Sequence, residues 1–161
     1  MRARFQRFFE SALVALFLCL APFCATAADI TFETAPLTIV TSGGQIHKFT
    51  VELAVDNDQR SHGLMDRRHM PRDRGMLFDF GQTRQVMMWM KNTYLPLDML
   101  FINKDGKVET IRENAVPLSE AIIDSRVPVA FVLELNGGTV RRLGIATGDI
   151  VDNARISATA P

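Results

Sequence analysis

The chain has 161 residues, of which 47% are apolar, so the length fits one domain and the composition can provide a core. Basic and acidic residues number 18 each, which gives no reason to expect nucleic acid or anionic lipid as a partner. Both cysteines, Cys19 and Cys24, lie near the N-terminus. The rest of the chain therefore has no disulfide, no thiol nucleophile and no thiolate metal site.

Residues 1–27 have the pattern of a cleavable secretory signal. A head with three arginines precedes an apolar run over 13–23, and Ala25-Thr26-Ala27 supplies a small-residue cleavage motif. The run is too short to span a bilayer, and neither cysteine follows the small residue that lipidation requires. We therefore expect a mature chain that starts at or near Ala28, is periplasmic or secreted, and has no membrane contact after cleavage.

Two strands are predicted at the start of the mature chain. Leu37–Thr41 is short and apolar, and Gln45–Val55 alternates apolar and polar residues, as a strand with one exposed face does. The turn signal Ser42-Gly43-Gly44 lies between them, so the two strands are expected to form a hairpin. The preceding residues, 29–36, are expected to be a loose lead-in or an edge strand.

A short helix is predicted after this hairpin. The side chains of Asp56-Asn57-Asp58 can accept hydrogen bonds from the free amides of a first helical turn, so a helix is expected from about Asp58 to Met65. Gly63 near its end limits its stability. The following segment, Asp66–Arg74, is rich in charge and contains Pro71, which predicts a loop.

Three apolar runs dominate the centre of the sequence. Met76–Phe80, Val86–Met90 and Leu97–Ile102 have the length of strands and are separated by glycine or proline signals, so they are expected to be consecutive buried strands. Trp89, the only tryptophan, is expected to be buried in the middle run. The polar triplet Lys91-Asn92-Thr93 interrupts the apolar residues.

The C-terminal part contains further strands separated by turns. Asp105-Gly106 predicts a tight turn, after which Val108–Arg112 returns as a strand of low apolar content near an edge of the sheet. Val127–Leu135 is a strongly apolar strand. The turn signal Asn136-Gly137-Gly138 follows it, and Thr139–Leu143 is expected to pair back as a strand.

Short strands at intervals of about 8–12 residues, with glycine turns and little helix, are typical of an antiparallel β domain. The prediction is one compact, mainly β domain over residues 28–153, either an antiparallel β-sandwich or a small barrel, with one short helix. Residues 114–126 are expected to form a long connection. The small and polar tail, 154–161, is expected to fray.

Several sequence blocks resemble, in order and spacing, the signature of the domain family called DUF192. The resemblance extends from about Phe49 to Val151, with Met88 where the family more often has an aromatic residue. It implies a compact, mainly β domain that is commonly exported in bacteria and has no established biochemical function. The blocks are Arg60–Arg67, Gly75–Phe78, Trp89–Thr93 and Pro96–Asp98.

Five polar residues in or near these blocks are the predicted site, which would bind a small anionic or polar ligand or a protein partner. Lys91 and Asn92 follow a buried run, where polar groups can meet a ligand at the mouth of a β-structure or simply complete a turn. Asp98 lies against an apolar run and needs a partner if it is buried, which Lys91 or an arginine could supply. Arg60 and Arg67 would share one face of a continuous helix, either to bind a carboxylate or phosphate or as a solvated face.

Two other classes of function remain open from the sequence. Seven methionines and nearby histidines suit Cu(I), although Met87 and Met88 would point to opposite faces of a strand. A hydrolase would rely on Lys91, Asp98 and His62, but no nucleophile elbow, phosphate loop or zinc motif occurs. The sequence therefore favours a binding protein over an enzyme, with no catalytic residue, metal ligand or cofactor assigned.

Overall fold

A computed structural model describes residues 30–158, so the expected signal, 1–27, lies outside the described residues. The described part contains nine strands and three short helices. The strands are β1 Glu33–Val40, β2 Ile46–Ala54, β3 Arg74–Arg84, β4 Met87–Met88, β5 Leu97–Ile102, β6 Val108–Ala115, β7 Ile123–Asp124, β8 Val129–Asn136 and β9 Ile150–Asp152. The helices are α1 Asn57–His62, α2 Thr139–Leu143 and α3 Ala154–Ser157, and none of them is long enough to cross a membrane.

Seven strands form one sheet in the order β6-β5-β8-β3-β2-β1-β9, and β4 pairs with β7 in a small second sheet. Neighbours in the large sheet are antiparallel except β2 and β3, which are parallel because the segment containing α1 crosses back between them. The edges approach each other at one end, where the Val108 amide donates to the Asp149 carbonyl at 2.9 Å. The curled sheet confirms the mainly β prediction.

Each face of the large sheet carries its own core, because successive residues of a strand point to opposite faces. Leu133 of β8 packs with Leu77 on one face, and Val132 packs with Phe78 on the other. The second face is covered by segments outside the sheet, which contribute Leu64, Met90 and Ile123 among others to its core. Strands β5 and β8 are thus buried on both sides.

The first half of the domain follows the prediction closely. Strands β1 and β2 form the expected hairpin, with Val40 opposite Ile46. The Asp56 side chain caps α1 by accepting from the Gln59 amide at 2.8 Å, and the Gln59 side chain accepts in return from the Asp56 amide. The helix ends at His62, three residues earlier than expected, before Gly63 at φ 51°.

The run Val86–Met90 is not a third strand of the main sheet, and this prediction is wrong. Strand β3 already has β2 and β8 as neighbours, so the run lies over the second face and only β4 is extended. Val86 and Met90 are buried there, whereas Met87 points outward. Trp89 is 48% exposed instead of buried.

The C-terminal segment also differs from expectation. Thr139–Leu143 is the helix α2 and not a returning strand, because β8 is paired on both sides with β3 and β5 and has no free edge. The expected frayed tail begins instead with α3, in which Ile156 is buried in the first core. Strand β6 does lie at the edge of the sheet, as predicted.

Candidate functional site

An open cleft of about 280 Å³ lies between α1, strand β3 and the β4 segment. Its lining mixes polar and apolar side chains. The buried lining residues form the floor, and the more exposed ones form the walls and rim. The floor consists of Gly63, Leu64, Phe78, Thr93 and Glu134, and the walls and rim include Arg60, Ser61, His62, Met65, Phe80, Arg84, Met87, Met88 and Trp89.

Glu134 is the unusual group in this cleft. It lies in the centre of the sheet on β8, between Met76 of β3 and Met99 of β5, and is only 4% exposed. Within residues 30–158, no hydrogen bond or ion pair joins its carboxyl to another group, and the carboxyl oxygens reach the cleft instead of being sealed in the core. Burial raises the pKa of Glu134 to about 8, so the carboxyl is protonated at neutral pH and can donate one hydrogen bond into the cleft.

The other polar groups of the cleft differ in how many hydrogen-bonding positions remain free for a ligand. The Thr93 hydroxyl donates to the Lys91 carbonyl at 3.1 Å, which leaves its lone pairs for a ligand. The His62 ring stacks on Phe32 with a centroid distance of 6.4 Å. Arg84 lies over Phe80 at 4.9 Å and makes one weak hydrogen bond, to the Gln85 carbonyl at 3.3 Å. The cleft therefore combines a proton donor at its floor with a cation at its rim.

Arg60 is the only one of the five predicted site residues that lines this cleft. Its Nη1 donates to the carbonyl oxygens of Val55 at 2.6 Å and Asp79 at 2.7 Å, and its Nη2 donates to the Asn57 side chain at 2.7 Å. These bonds tie α1 to the end of β2 and to β3. Arg60 thus holds the cleft wall in place and has few donors left for a ligand.

Arg67 lies elsewhere, in the loop beyond the end of α1, so it does not share a helix face with Arg60. Its guanidinium makes a bidentate ion pair with Glu52 on β2, with both N–O distances at 2.6 Å. These hydrogen bonds raise the pKa of Arg67 above its usual value. The geometry matches the bidentate recognition of a carboxylate that was predicted, but the carboxylate belongs to the protein itself.

Lys91, Asn92 and Asp98 do not converge on a common ligand position. Lys91 is exposed, with its Nζ 5.9 Å from the centre of the Trp89 ring. Asn92 occupies a turn position at φ 53°, and its carbonyl accepts from the Asp66 amide at 2.9 Å. Asp98 is fully buried, and its two oxygens accept from the backbone amides of Asn114 and Val140, each at 2.8 Å.

The expected partnership of Asp98 with Lys91 or an arginine is therefore replaced by hydrogen bonds to the backbone. Because the Val140 amide belongs to the first turn of α2, Asp98 satisfies one of the free donors of that helix. This also removes Asp98 from the grouping with Lys91 and His62 that a hydrolase would use. Of those three residues, only His62 lines the cleft.

The methionines are divided between the core and the cleft. Met70, Met76, Met90 and Met99 are buried in the second core. The other three of the described chain, Met65, Met87 and Met88, line the cleft. Met87 is exposed while Met88 packs against the core, so these neighbours point in opposite directions, as predicted from the strand alternation. Among residues 30–158, no cluster of three or more histidine, cysteine, aspartate or glutamate side chains could hold a metal ion.

Sequence reasoning missed Glu134, although the sequence contains a signal for it. Glu134 is the only charged residue in the apolar run Val127–Leu135. A strand of this composition is buried on both faces, so its one carboxyl has to be buried as well. Buried carboxyl groups without a partner are costly to folding and are found most often at functional sites.

Replacing Glu134 with glutamine should change how stability depends on pH. The carboxyl has a pKa of about 8 when folded and 4.5 as its reference value, so between these pH values the unfolded chain has lost a proton that the folded chain keeps. The stability from protonated Glu134 is complete below pH 4.5 and declines as the pH rises to 8, by up to about 1.4 kcal/mol per pH unit. Urea unfolding from pH 5 to 9 should show this decline in the wild type and a shallower one in Glu134→Gln. Identical pH profiles would contradict the raised pKa.

Comparison with known proteins agrees with this fold. The model of the DUF192 family, described as an uncharacterized ACR, matches residues 38–153. A solved structure from Sinorhizobium meliloti, provisionally named a transcription regulator, is 63% identical with a TM-score of 0.77, over 78% of this chain and 98% of that one. A protein of unknown function from Novosphingobium aromaticivorans is 36% identical with a TM-score of 0.73, over 80% and 91% of the two chains. No curated protein matches the chain.

The family match covers most of the chain, and it includes the four sequence blocks and the strand that carries Glu134. The chain belongs to the DUF192 family.

Proposed function

We propose that this protein is a binding domain for a small ligand that enters the cleft and accepts a hydrogen bond from the protonated carboxyl of Glu134. The observation that supports this is the carboxyl itself, which faces the cleft on a residue only 4% exposed and makes no hydrogen bond or ion pair within residues 30–158. Burying a carboxyl without a partner costs folding free energy. An apolar residue at the same position would avoid that cost, so a role in binding accounts for glutamate here.

The chemistry of the cleft narrows the class of ligand. A neutral carboxyl donates a proton, so the ligand needs an acceptor such as a carbonyl or carboxylate oxygen. Arg84 at the rim favours a negative charge, and Phe78, Phe80 and Trp89 favour a flat apolar body. The volume of about 280 Å³ suits a small molecule. A small carboxylate or carbonyl compound with an aromatic or apolar body fits all these features.

Binding is proposed in preference to catalysis and to a role in transcription. A carboxyl with a pKa near 8 can act as a general acid, but Ser61 and His62 in the same cleft do not hydrogen-bond to each other as a nucleophile and its base would. The provisional name of the Sinorhizobium protein is not extended to this chain, because 18 basic residues are balanced by 18 acidic ones. The N-terminal pattern supports a site of action outside the cytoplasm.

The test is a thermal-shift screen of aromatic and aliphatic carboxylates and carbonyl compounds at pH 6.5 and pH 9. It uses protein recovered from the periplasm, whose intact mass should lack residues 1–27. A ligand that raises Tm at pH 6.5 should lose most of this effect at pH 9, because ionised Glu134 no longer donates a proton. Glu134→Leu should weaken binding by about tenfold or more. Glu134→Gln keeps an N–H donor and should bind equally at both pH values.

Matched controls separate the cleft from other sites. Lys91→Met should bind like the wild type, because Lys91 does not line the cleft. If Glu134→Leu binds as tightly as the wild type, or if no compound of this class binds, the proposal is wrong. The soft-metal alternative predicts a different result, namely stabilisation by Cu(I) that is lost in Met65→Leu.

A further inference from the structure

Six large apolar side chains lie exposed beside the mouth of the cleft, and we call them the apolar patch. Their exposed fractions range from 38% to 67%. They account for half of the twelve large apolar side chains that are exposed in residues 30–158. Such a concentration marks an interaction surface more often than scattered exposed residues do. The patch consists of Met87, Trp89, Tyr94, Val116, Leu118 and Ile122.

The patch is continuous because its two chain segments lie side by side. The Met90 amide donates to the Ser119 carbonyl at 2.9 Å, and the Leu118 amide donates to the Thr93 carbonyl at 3.0 Å. Further along, β4 pairs with β7 next to Ile122. The patch also adjoins the cleft, which Met87 and Trp89 line.

Leu118 shows that folding alone does not explain the patch. Its backbone has φ 60°, the left-handed region that glycine and asparagine adopt at little cost and leucine does not. Its side chain is 54% exposed, so it does not fill a core position either. A strained apolar residue at the surface is best explained by contact with something outside the chain.

Cations lie over the aromatic rings of this surface. The Lys91 Nζ is 5.9 Å from the Trp89 ring centre, and the Arg68 guanidinium is 4.3 Å from that of Tyr94. Arg84, which lines the cleft with Met87, and Arg126, which follows β7 beside β4, add positive charge near the patch. Three carboxylates are also present in these segments: Asp66, whose amide donates to the Asn92 carbonyl, Glu120, and Asp124, which accepts hydrogen bonds from the Gln85 side chain and the Arg126 amide. The cations therefore outnumber the acidic groups around the patch.

We propose that the apolar patch docks onto the surface of an anionic lipid bilayer. Tryptophan and tyrosine favour the headgroup region, where their rings are partly buried and partly hydrated. Lysine and arginine beside them reach lipid phosphates, and neighbouring aliphatic side chains enter the upper acyl region. The overall charge gave no reason to expect lipid, but the local pairing of cations with exposed rings does. The patch shares Met87 and Trp89 with the cleft, but the proposed lipid contact does not require the ligand proposed there.

The first test uses Trp89 as a reporter, because it is the only tryptophan in the chain. The protein is mixed with vesicles of equal parts phosphatidylglycerol and phosphatidylcholine, or of phosphatidylcholine alone. We expect co-sedimentation with the anionic vesicles and a blue shift of the Trp89 emission, because the half-exposed ring moves out of water. Both effects should be several-fold weaker with phosphatidylcholine alone.

Two matched variants decide whether the patch is responsible. Leu118→Asn accepts the left-handed backbone and should fold normally, but it removes the apolar contact and should reduce binding by about fivefold or more. Ile46→Asn removes a side chain that is 63% exposed and lies outside the patch, and it should bind like the wild type. A Leu118→Asn variant that folds and binds like the wild type would overturn the proposal.

Three further results would also overturn it. One is the absence of co-sedimentation with anionic vesicles, and another is equal binding to both vesicle types. The third is a concentration-dependent dimer that shifts the Trp89 emission without lipid, since the patch would then be covered by a second copy. None of these results affects the cleft, whose ligand is tested by variants of Glu134 in the absence of lipid.

Discussion

Gly75→Ala is expected to lower the free energy of unfolding by about 3 kcal/mol or more, with a fall in Tm of roughly 10 °C. Gly75 lies on β3 opposite Leu135 of β8. A Cβ atom added to Gly75 would lie 2.5 Å from the Glu134 carbonyl oxygen and 2.7 Å from a Leu135 methyl carbon. The carbonyl belongs to the backbone at the centre of the sheet, so the clash can be relieved only if β3 and β8 move apart.

Gly43→Ala is the matched control for this measurement by thermal unfolding. Its added Cβ would have Thr41 Oγ1 as nearest neighbour, at 3.9 Å, so Tm should change by no more than about 2 °C. If both variants behave alike, the two central strands have more freedom than the structure implies.

Asp98→Ala is the second change with a large expected effect, a loss of about 3–6 kcal/mol in the free energy of unfolding. The carboxylate is fully buried and accepts from the amides of Asn114 and Val140, each at 2.8 Å. Alanine leaves both amides without a partner, and an unsatisfied buried donor costs about 1–3 kcal/mol, with more lost when the acceptor was charged. Urea unfolding monitored by circular dichroism measures the change.

Asp98→Asn should lose only one of the two hydrogen bonds. The amide side chain keeps one oxygen as an acceptor, but its nitrogen is a donor and cannot accept from the second backbone amide. It should therefore be destabilised too, although it occupies the same volume. Lys91→Met provides the contrast, since Lys91 is exposed and is expected to leave stability nearly unchanged. A loss in Lys91→Met as large as that in Asp98→Ala would instead indicate the ion pair that the sequence suggested.

The fold was predictable where one local pattern has one structural solution. Leu97–Ile102 and Val127–Leu135 are apolar except for Asp98 and Glu134, and such runs become strands covered on both faces, as β5 and β8 are. The Asp56 cap and the turn at Gly106, which has φ 83°, depend on neighbouring residues only. Patterns of this kind determine the local structure independently of the rest of the chain.

The errors arose where the outcome depends on which strands are already paired. Val86–Met90 has the composition of a strand. Because β3 is already paired with β2 on one side and β8 on the other, the run cannot pair with β3 and covers a face of the sheet instead. Thr139–Leu143 has β-branched residues, yet β8 has no free edge, and Asp98 supplies an acceptor for the first turn of a helix. Neither fact can be read from the local sequence.

The candidate site was harder to predict than the fold, because its residues are distant in sequence. Glu52 and Arg67 pair across 15 positions, which converts a predicted ligand contact into an internal ion pair. Arg60 lines the cleft, but its donors are used by the protein. Glu134 was passed over because an apolar run directs attention to packing, and the exception within the run was the informative residue.

The central place of β8 also bears on the order in which the molecule can form. Strand β8 joins β3 to β5, yet its residues 129–136 come late in the chain. Until they are available, β3 and β5 each have an open edge, and about four fifths of the chain has been made without a complete sheet. Folding therefore has to wait for nearly the whole polypeptide. A chain of this kind stays unfolded until late in synthesis, which is the state that the proposed export through a secretory channel would need.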